Sequence, residues 1–270
     1  MDNAHEIGCS WNTAPRSVNV SEDIHVWRVD LEQPESVIRD SERLLAREEQ
    51  EKAHRFRFVD HRQRFTVTRV AVRQILSSCI GVDPRSIEFA TGSHGKPYIT
   101  SRTLQFNVSH SHARALVAVA RGCEIGVDVE KIRDIEDAQV LANRFFSSAE
   151  ARRLSAASDA ASLTRGFFEC WTRKEAFVKA IGEGLSHPLD SFEVTFFPET
   201  KADLRLGAAH LGKWALRNID LGPGYCGAVA FECEVGTGVS QRDIKLWEWS
   251  WSPSSLGYDS LHSGCVANAI

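Results

Sequence analysis

Acidic residues occupy alternate positions in the stretch IGVDVE, which covers residues 125–130. Successive side chains of a β-strand point to opposite faces, so Asp128 and Glu130 share one face and the apolar residues share the other. Two neighbouring carboxylates repel each other unless a positive charge lies near them, and their hard oxygens suit Mg2+. The alternative is the solvent-facing side of an edge strand, which is a common pattern. The stretch by itself leaves both interpretations open.

A third carboxylate lies in the stretch FFECWTRKEAFVKAIGEG, residues 167–184, whose apolar residues recur at helical spacing. Glu175 lies at the edge of this apolar stripe, where an ionised carboxylate loses much of its water and needs a cation. One candidate is Lys179, which lies four residues later on the same side of the helix. The other is a metal ion shared with Asp128 and Glu130, with nearby basic side chains balancing the excess negative charge.

Several basic and hydroxyl side chains belong to the types that bind phosphate oxygens. Lys96 follows a glycine in the turn HGKP, and Ser109 and His110 end a strand just before the acidic stretch. A basic cluster could also reach a polyphosphate; it comprises Lys52, Arg55, Arg57, Arg62 and Arg64. Taken singly, each of these signals is weak, because a lone histidine is more often an ordinary surface or core residue than a ligand and most side chains of a basic cluster only face solvent.

The elements that must position these residues alternate between helices and strands. Charged residues predict a solvent-facing helix over Ser41–His54, and a longer helix is predicted to begin with Asp60 as its cap and to end at Gly81. Arg121-Gly122 is typical of a hairpin turn. In the second half, helices are predicted around Asp137–Phe146 and Ser162–Ala180, and strands in DSFEVTF, KWALRNIDL, YCGAVAFEC and IKLWEWSW.

Each half therefore supplies a long helix followed by strands, which predicts an α+β fold of two packed halves. No stretch shows the βαβ alternation of a dinucleotide-binding fold. We expect a flexible tail over residues 1–20, an N-terminal half over 21–124, a C-terminal half over 125–252 and a second tail over 253–270. Tryptophans at every second position near residue 250 predict a packed strand face, with docking of a partner as the weaker alternative; they are Trp247, Trp249 and Trp251.

Composition excludes several classes of protein. The 270 residues carry a net charge of −4, with a pI near 6.2, so we expect no nucleic-acid partner. The first 20 residues lack the pattern of a signal peptide and no long apolar run occurs, which predicts a cytoplasmic protein without a membrane partner. Seven scattered cysteines without a CxxC pair indicate neither a zinc cluster nor a disulfide framework, and we expect them reduced and mostly buried.

Four stretches together resemble one known family. GKP at 95–97, FNVSHS at 106–111, IGVDVE at 125–130 and FFECWTRKEAFVKAIGEGL at 167–185 are similar, in order and spacing, to the motifs of the Sfp-type 4'-phosphopantetheinyl transferases. The resemblance runs from about residue 40 to about residue 195. It implies transfer of the 4'-phosphopantetheine arm of coenzyme A to a serine of an acyl, peptidyl or aryl carrier protein, with Mg2+ and release of adenosine 3',5'-bisphosphate. It also implies a pseudo-dimer of two similar halves, each a small antiparallel sheet on a long helix, with the active site in the cleft between them.

The resemblance implies roles for individual residues. Asp128, Glu130 and Glu175 would hold the metal against the diphosphate, and Lys179 would hold a phosphate oxygen and help the leaving group. Glu175 is the candidate general base for the carrier serine, directly or through a water. The remaining contacts to coenzyme A would come from Lys52, Arg55, Arg64, Lys96, Ser109 and His110.

Two other functions use the same residues. A Mg-dependent pyrophosphohydrolase would employ the same carboxylates with water as the acceptor, although the long Glu-rich helix of such hydrolases is missing. A non-catalytic module that binds coenzyme A or a nucleotide would keep only the phosphate contacts. The size of the chain favours a monomer, and which carrier is served is not readable from one sequence.

Overall fold

The computed structural model describes residues 10–101, 104–196, 202–205, 214–233 and 242–252. Its strands are β1 (Asn12–Thr13), β2 (Ile24–Asp30), β3 (Phe89–Thr91), β4 (Pro97–Ile99), β5 (Gln105–Ser111), β6 (Arg114–Ala120), β7 (Ile125–Lys131), β8 (Glu193–Val194), β9 (Leu204–Arg205), β10 (Trp214–Asn218), β11 (Tyr225–Glu232) and β12 (Ile244–Glu248). Its α-helices are α1 (Glu35–Ser41), α2 (Arg47–His54), α3 (Val59–Ile80), α4 (Ala138–Phe145), α5 (Ser148–Ser155) and α6 (Ala160–Ile181). The fold is therefore α+β, as the sequence predicts.

The larger sheet has five strands in the order β1-β12-β2-β6-β5. Its core lies between the sheet and α3, where Trp27 and Val117 of the sheet pack with Val67 and Ile75 of the helix. The helix ends where Gly81 takes a φ of 73°, a left-handed conformation that glycine adopts without a Cβ penalty. The predicted end of this helix is thus confirmed. The predicted cap is wrong, because the helix begins at Val59, one residue before Asp60. The N-cap residue is Phe58, whose side chain makes no capping hydrogen bond.

The smaller sheet has three antiparallel strands in the order β10-β11-β7, and α6 packs across it. Helix and strand are in direct backbone contact at one point: a Cβ added to Gly126 would lie 2.1 Å from the Ala176 carbonyl oxygen and 2.3 Å from the Ala180 nitrogen. Any larger side chain at position 126 would push α6 away from β7. The glycine therefore sets the distance between the strand with two acidic residues and the helix with the third.

Residues 10–20 differ from the flexible tail expected there. Asn12 and Thr13 pair with β12, and Val18 and Val20 are buried in the first core. The reason is that β12 offers a free edge to Asn12 and Thr13, while Val18 and Val20 extend the core between the sheet and α3. Residues 1–9 and the predicted tail 253–270 lie outside the described residues.

The proposed boundary between the halves is crossed by the last described strand. β12 runs parallel to β2, with Leu246 opposite Val26, so a segment assigned to the second half completes the sheet of the first. The first sheet is accordingly mixed rather than antiparallel. Trp249 of this segment is buried and donates its indole N–H to Gln74 Oε1 over 3.1 Å. Trp247 and Trp251 are partly buried against the same core, so the tryptophans pack as predicted, but only Trp247 lies within a strand.

Two further local predictions, one of a helix and one of a hairpin, differ from the structure. The helix expected over Ser41–His54 is divided into the end of α1, a 3-10 turn over Glu42–Leu44 and α2. The turn at Gly122 is present, with a φ of 68°, but β6 and β7 on either side of it belong to different sheets and do not form a hairpin. In the described part of the chain, no helix has the length and apolar character needed to cross a membrane.

Candidate active site

Strand β7 lies at the edge of the smaller sheet, next to β5 at the edge of the larger one. The two strands are joined by side chains rather than by a backbone ladder. Asn107 Oδ1 accepts a hydrogen bond from the Val127 N–H over 2.9 Å. The hydroxyls of Ser109 and Ser111 accept from the backbone two and four residues further along β7, at 3.3 and 3.1 Å. Three polar side chains at alternate positions of β5 thus satisfy the open edge of β7.

The same serines hold the two carboxylates of β7. Ser109 Oγ donates to Asp128 Oδ1 over 2.7 Å, and Ser111 Oγ donates to Glu130 Oε2 over 2.7 Å. Each hydroxyl accepts a hydrogen bond from the backbone of β7 and donates its own proton to a carboxylate. Both acidic side chains therefore have one oxygen held in a defined direction.

Helix α6 contributes the opposing side of the site. Lys179 Nζ donates to Asp128 Oδ1 over 2.6 Å and to Ser109 Oγ over 3.0 Å. Lys179 therefore reaches across to β7 instead of forming the local pair with Glu175 that the helical spacing offered as an alternative. The contact brings together residues from three elements that are distant in sequence.

The site concentrates negative charge in a partly desolvated space. Burial raises the pKa of Glu175, and the charge of Asp128 adds to this effect while Lys179 opposes it. Burial also raises the pKa of Glu130, against the hydrogen bond from Ser111 and together with the charge of Asp128. Each of these shifts means that the ionised carboxyl lacks enough positive charge around it.

The donor set fits a hard divalent cation. Asp128 Oδ2 is buried and has no hydrogen-bond partner, and three mutually repelling carboxyl groups provide oxygen ligands of the kind that Mg2+ prefers. Among the described residues, however, no group of three or more His, Cys, Asp or Glu side chains is drawn together closely enough to hold a metal ion. The charges are gathered in one region, while one oxygen of Asp128 is occupied by Lys179.

His110 and Lys96 lie around this centre. Desolvation by the surrounding protein lowers the pKa of His110, and the positive charge of Lys179 lowers it further. The residue is nevertheless exposed to solvent. The Lys96 ammonium bonds to Glu124 Oε2 over 2.7 Å and to the Ala180 carbonyl at the end of α6 over 2.8 Å. Lys96 thus ties the HGKP turn to α6 in this conformation.

The basic cluster at the start of α3 is placed separately. Lys52 and Arg55 are exposed at the end of α2, with the Lys52 ammonium 5.4 Å from the Phe65 ring centre. Arg64 forms an ion pair with Glu32 over 3.5 Å. Their role as phosphate contacts stays a prediction.

Sequence reasoning missed two sets of residues. The first is the pairing role of Asn107 and Ser111, whose signal is the alternation of short polar residues in FNVSHS. The second is a buried ion pair: Lys174, directly before Glu175, bonds to Glu150 over 2.8 Å and to two backbone carbonyls, all in the interior. Glu150 in turn accepts the Val194 N–H, so this pair fixes α6 against α5 and β8.

Comparisons with known proteins identify the family of this chain. Residues 124–230 match the family described as the 4'-phosphopantetheinyl transferase superfamily, and residues 33–122 match its N-terminal region. The 4'-phosphopantetheinyl transferase HetI of Nostoc sp. is 37% identical over 212 residues, which cover 77% of this chain and 87% of that protein. The chain belongs to the 4'-phosphopantetheinyl transferase family. The prediction from the motifs is thereby confirmed.

Further relatives of this phosphopantetheinyl transferase cover less of the chain. The transferase Sfp of Bacillus subtilis is 34% identical over 186 residues, which cover 68% of this chain and 81% of Sfp. A solved structure titled as the ACPS-CoA complex of Chronobacterium ammoniagenes is 21% identical and covers 42% of this chain and 97% of its own, with a TM-score of 0.32. That overlap is too small to support an argument about this transferase.

Proposed function

We propose that this enzyme transfers the 4'-phosphopantetheine arm of coenzyme A to a serine hydroxyl of an apo acyl, peptidyl or aryl carrier protein. The reaction releases adenosine 3',5'-bisphosphate and depends on Mg2+. The observation that carries the proposal is the contact of Lys179 on α6 with Asp128 and Ser109, which places an ammonium group against a carboxylate of β7. Such an arrangement suits a ligand that is itself a chelated diphosphate.

Asp128, Glu130 and Glu175 are the residues that would hold the metal. When bound, Mg2+ would supply neutralisation of the charge that develops on the diphosphate oxygens. The unpartnered Asp128 Oδ2 and the raised pKa of both glutamates support this assignment. Ser109 and Ser111 would orient two of the three carboxylates.

Glu175 is assigned the transfer of the serine proton, and Lys179 is assigned the stabilisation of the leaving phosphate. Glu175 accepts the proton of the carrier serine, directly or through a water, as the hydroxyl oxygen attacks the β-phosphorus of coenzyme A. In the protein without a bound metal, burial raises the pKa of Glu175, which makes its carboxylate a stronger base than an exposed glutamate. Lys179 donates to an oxygen of the leaving phosphate, which departs as adenosine 3',5'-bisphosphate.

The remaining contacts to coenzyme A are assigned to Lys52, Arg55, Arg64, Lys96, Ser109 and His110. His110 reaches solvent beside Lys179 and is the candidate for the 3'-phosphate. Lys96 and Ser109 already bond within the protein, so a phosphate at either group competes with those contacts. This competition predicts that they adjust when coenzyme A binds.

We also infer that the two halves form a pseudo-dimer whose cleft holds the site, in a monomeric, cytoplasmic protein. The order of elements supports the duplication: β2, α3, β5 and β6 in the first half correspond to β7, α6, β10 and β11 in the second. Both long helices have 22 residues and both end at a glycine in the left-handed conformation. Residues 21–124 and 125–233 would be the two copies, with β12 added to the first.

Incubation of the enzyme with coenzyme A, Mg2+ and an apo carrier, followed by intact mass, tests the proposal. We expect the carrier to gain about 340 Da on one serine. Glu175→Gln should reduce the rate by at least about 100-fold, whereas Glu183→Gln, on an exposed glutamate just after α6, should leave it unchanged. Cleavage of coenzyme A without modification of the carrier, or near-normal turnover by Glu175→Gln at saturating Mg2+, would refute the assignment.

The position of His110 has its own test. We expect His110→Ala to raise the KM for coenzyme A by about 10-fold while changing the KM for dephospho-coenzyme A by less than about 2-fold. The difference arises because only coenzyme A carries the 3'-phosphate. Equal losses for both substrates would remove His110 from that contact.

A further inference from the structure

Two cysteines lie opposite each other just beyond the paired ends of β7 and β11. The antiparallel register places Phe231 opposite Ile125, and the Glu232 N–H donates to the Glu124 carbonyl over 2.9 Å. One step further along this register Cys233 faces Cys123. The charge of Cys233 also contributes to the raised pKa of Cys123, so the two thiols lie near each other in space although 110 positions separate them in sequence.

The hydrogen-bond pattern decides which type of pair they form. Because Glu124 and Glu232 are joined by a backbone hydrogen bond, the next pair, Cys123 and Cys233, is a non-hydrogen-bonded one. In such pairs the Cα atoms lie about 4.5 Å apart and the side chains approach more closely than in the other kind. A disulfide needs a Cα separation of about 4.4–6.8 Å, which is the range expected for a pair that continues this register.

Both sulfur atoms point into the same core. Cys123 and Cys233 pack in the apolar cluster that includes Ile125 and Phe231, and their exposed fractions are 6% and 9%. They therefore share one face of the sheet, opposite to the face that carries Asp128. The remaining described cysteines lie elsewhere: Cys79 on α3, and Cys170 and Cys226 in the core beneath α6.

Burial and a nearby arginine shift the pKa of the two thiols in opposite directions. Burial raises the pKa of both thiols, and the charge of Arg242 acts in the opposite direction on each of them. By comparison, burial raises the pKa of Cys79 and of Cys226 to about 12. The guanidinium of Arg242 therefore partly offsets the effect of burial on both thiols.

We propose that Cys123 and Cys233 are a redox-responsive pair that hydrogen peroxide converts into a cross-strand disulfide. One thiolate attacks a peroxide oxygen, the O–O bond breaks, and the products are a sulfenic acid and water once the thiol proton has been taken up. The second thiol then attacks the sulfenic sulfur, and the hydroxyl group leaves as a second water with the second thiol proton. Two electrons pass from the two sulfur atoms to peroxide, and a dithiol reductant reverses the bond.

The bond would clamp the C-terminal half. It closes a ring over residues 123–233, which contains β7, α6 and β11, and a covalent ring of this length restricts the unfolded chain strongly. The two strand ends are already adjacent in the reduced protein, so the fold needs little adjustment. Since the pair and Asp128 lie on opposite faces of β7, the oxidised enzyme keeps its transferase activity.

Peptide mapping after oxidation tests the proposal. The native protein is treated with hydrogen peroxide, alkylated in denaturant and digested with trypsin. We expect the intact mass to fall by about 2 Da and a crosslink to join the peptide of residues 122–131 to that of residues 218–242. The second peptide also contains Cys226, so the Cys226→Ser variant serves as the matched background and should give the same crosslink.

Thermal unfolding measures the clamp. We expect the oxidised protein to have a midpoint about 5–10 °C above the reduced one, and this gain should be absent in Cys123→Ala and in Cys233→Ala but present in Cys79→Ala. If Cys123→Ala fails to fold, Cys233→Ala provides the same comparison. Thiols that stay alkylatable, a gain of about 32 Da from sulfinic acid, a crosslink through Cys226, or a crosslinked protein with an unchanged midpoint would each overturn the proposal.

Discussion

Each carboxylate of β7 accepts a hydrogen bond from a serine of β5, and each serine also accepts a backbone N–H of β7. The two functions are coupled, because a hydroxyl held by the backbone has a defined direction for its own proton. The sequence was enough to identify the acidic residues at alternate positions of β7 and the carboxylate of Glu175. It was not enough to predict the contacts of the serines, because these contacts depend on which strand edge lies beside β7.

The Ser111 hydroxyl provides a test of this coupling. In Ser111→Ala, Glu130 loses a 2.7 Å hydrogen bond and becomes free to rotate, so the metal site is less ordered before binding. We expect the Mg2+ concentration for half-maximal carrier modification to rise about 5–10-fold, with kcat at saturating Mg2+ within about 3-fold of wild type. A Mg2+ titration of the rate and a direct calorimetric titration measure this. Ser111→Thr, which keeps the hydroxyl, should stay near wild type, and an unchanged Mg2+ requirement in Ser111→Ala would contradict the prediction.

The ionised side chain of Glu175, which the proposed reaction needs, is expected to lower the stability of the folded protein in a pH-dependent way. Its pKa is raised, mainly by burial, so the folded protein binds this proton more readily than the unfolded chain. The ionised group therefore costs stability above its folded pKa, and this cost is relieved as the pH falls through that pKa. In EDTA, Glu175→Gln should unfold on the order of 2 °C higher than wild type at pH 8, and the gap should narrow toward pH 5. A lower midpoint at pH 8, or a gap that widens on acidification, would contradict this.

Helix α6 and strand β7 meet without side chains between them at Gly126. This close approach lets Lys179 reach Asp128 across the interface. The ends of α6 and of α3 are local features, since a glycine in the left-handed conformation terminates each helix, and the sequence indicated this glycine for α3. The insertion of β12 between β1 and β2 is non-local, and no pattern within the strand itself specifies a parallel partner more than 200 positions away.

Substitution of Gly126 tests the contact between these elements. In Gly126→Ala the new Cβ would lie within about 2.1 Å of the Ala176 carbonyl oxygen, and neither backbone can yield without moving α6. We expect a loss of about 3 kcal/mol or more in the free energy of unfolding, and at least about a 10-fold lower rate per folded molecule. Denaturant unfolding and carrier modification measure the two effects.

Gly92→Ala is the matched control for this experiment. Its Cβ would lie 3.5 Å from the nearest atom, the Lys96 carbonyl oxygen, which is an ordinary van der Waals distance. We expect its stability to remain within about 1 kcal/mol of wild type. If Gly126→Ala behaved like this control, α6 would not depend on the glycine for its position.

At the scale of the whole molecule, the two sheets share an apolar core. One cluster contains residues of both, including Ile24 and Leu116 of the larger sheet and Val127 and Val229 of the smaller one. The polar side chains of β5 add a second connection at the edge of β7. The sequence predicted two halves and their α+β character, because helical and strand periods are local. It did not predict their common core, since apolar residues do not specify which sheet they face.

This shared core predicts that the halves unfold together. Trp249 packs in the core under α3, far from α6, and donates a hydrogen bond to Gln74. Trp249→Ala should cost about 3–5 kcal/mol by leaving a cavity in the first half. If unfolding is a single cooperative event, the slowest-exchanging amides of β11 in the second half lose the same protection as those of β2, because both exchange through global unfolding.

Hydrogen exchange read by mass spectrometry measures the protection of both strands in one experiment. Trp214→Ala, in the core beneath α6, is the reciprocal control and should lower the protection of β2 in turn. Protection that falls in β2 while β11 keeps its wild-type value would show instead that the halves are separate folding units joined only by their edges.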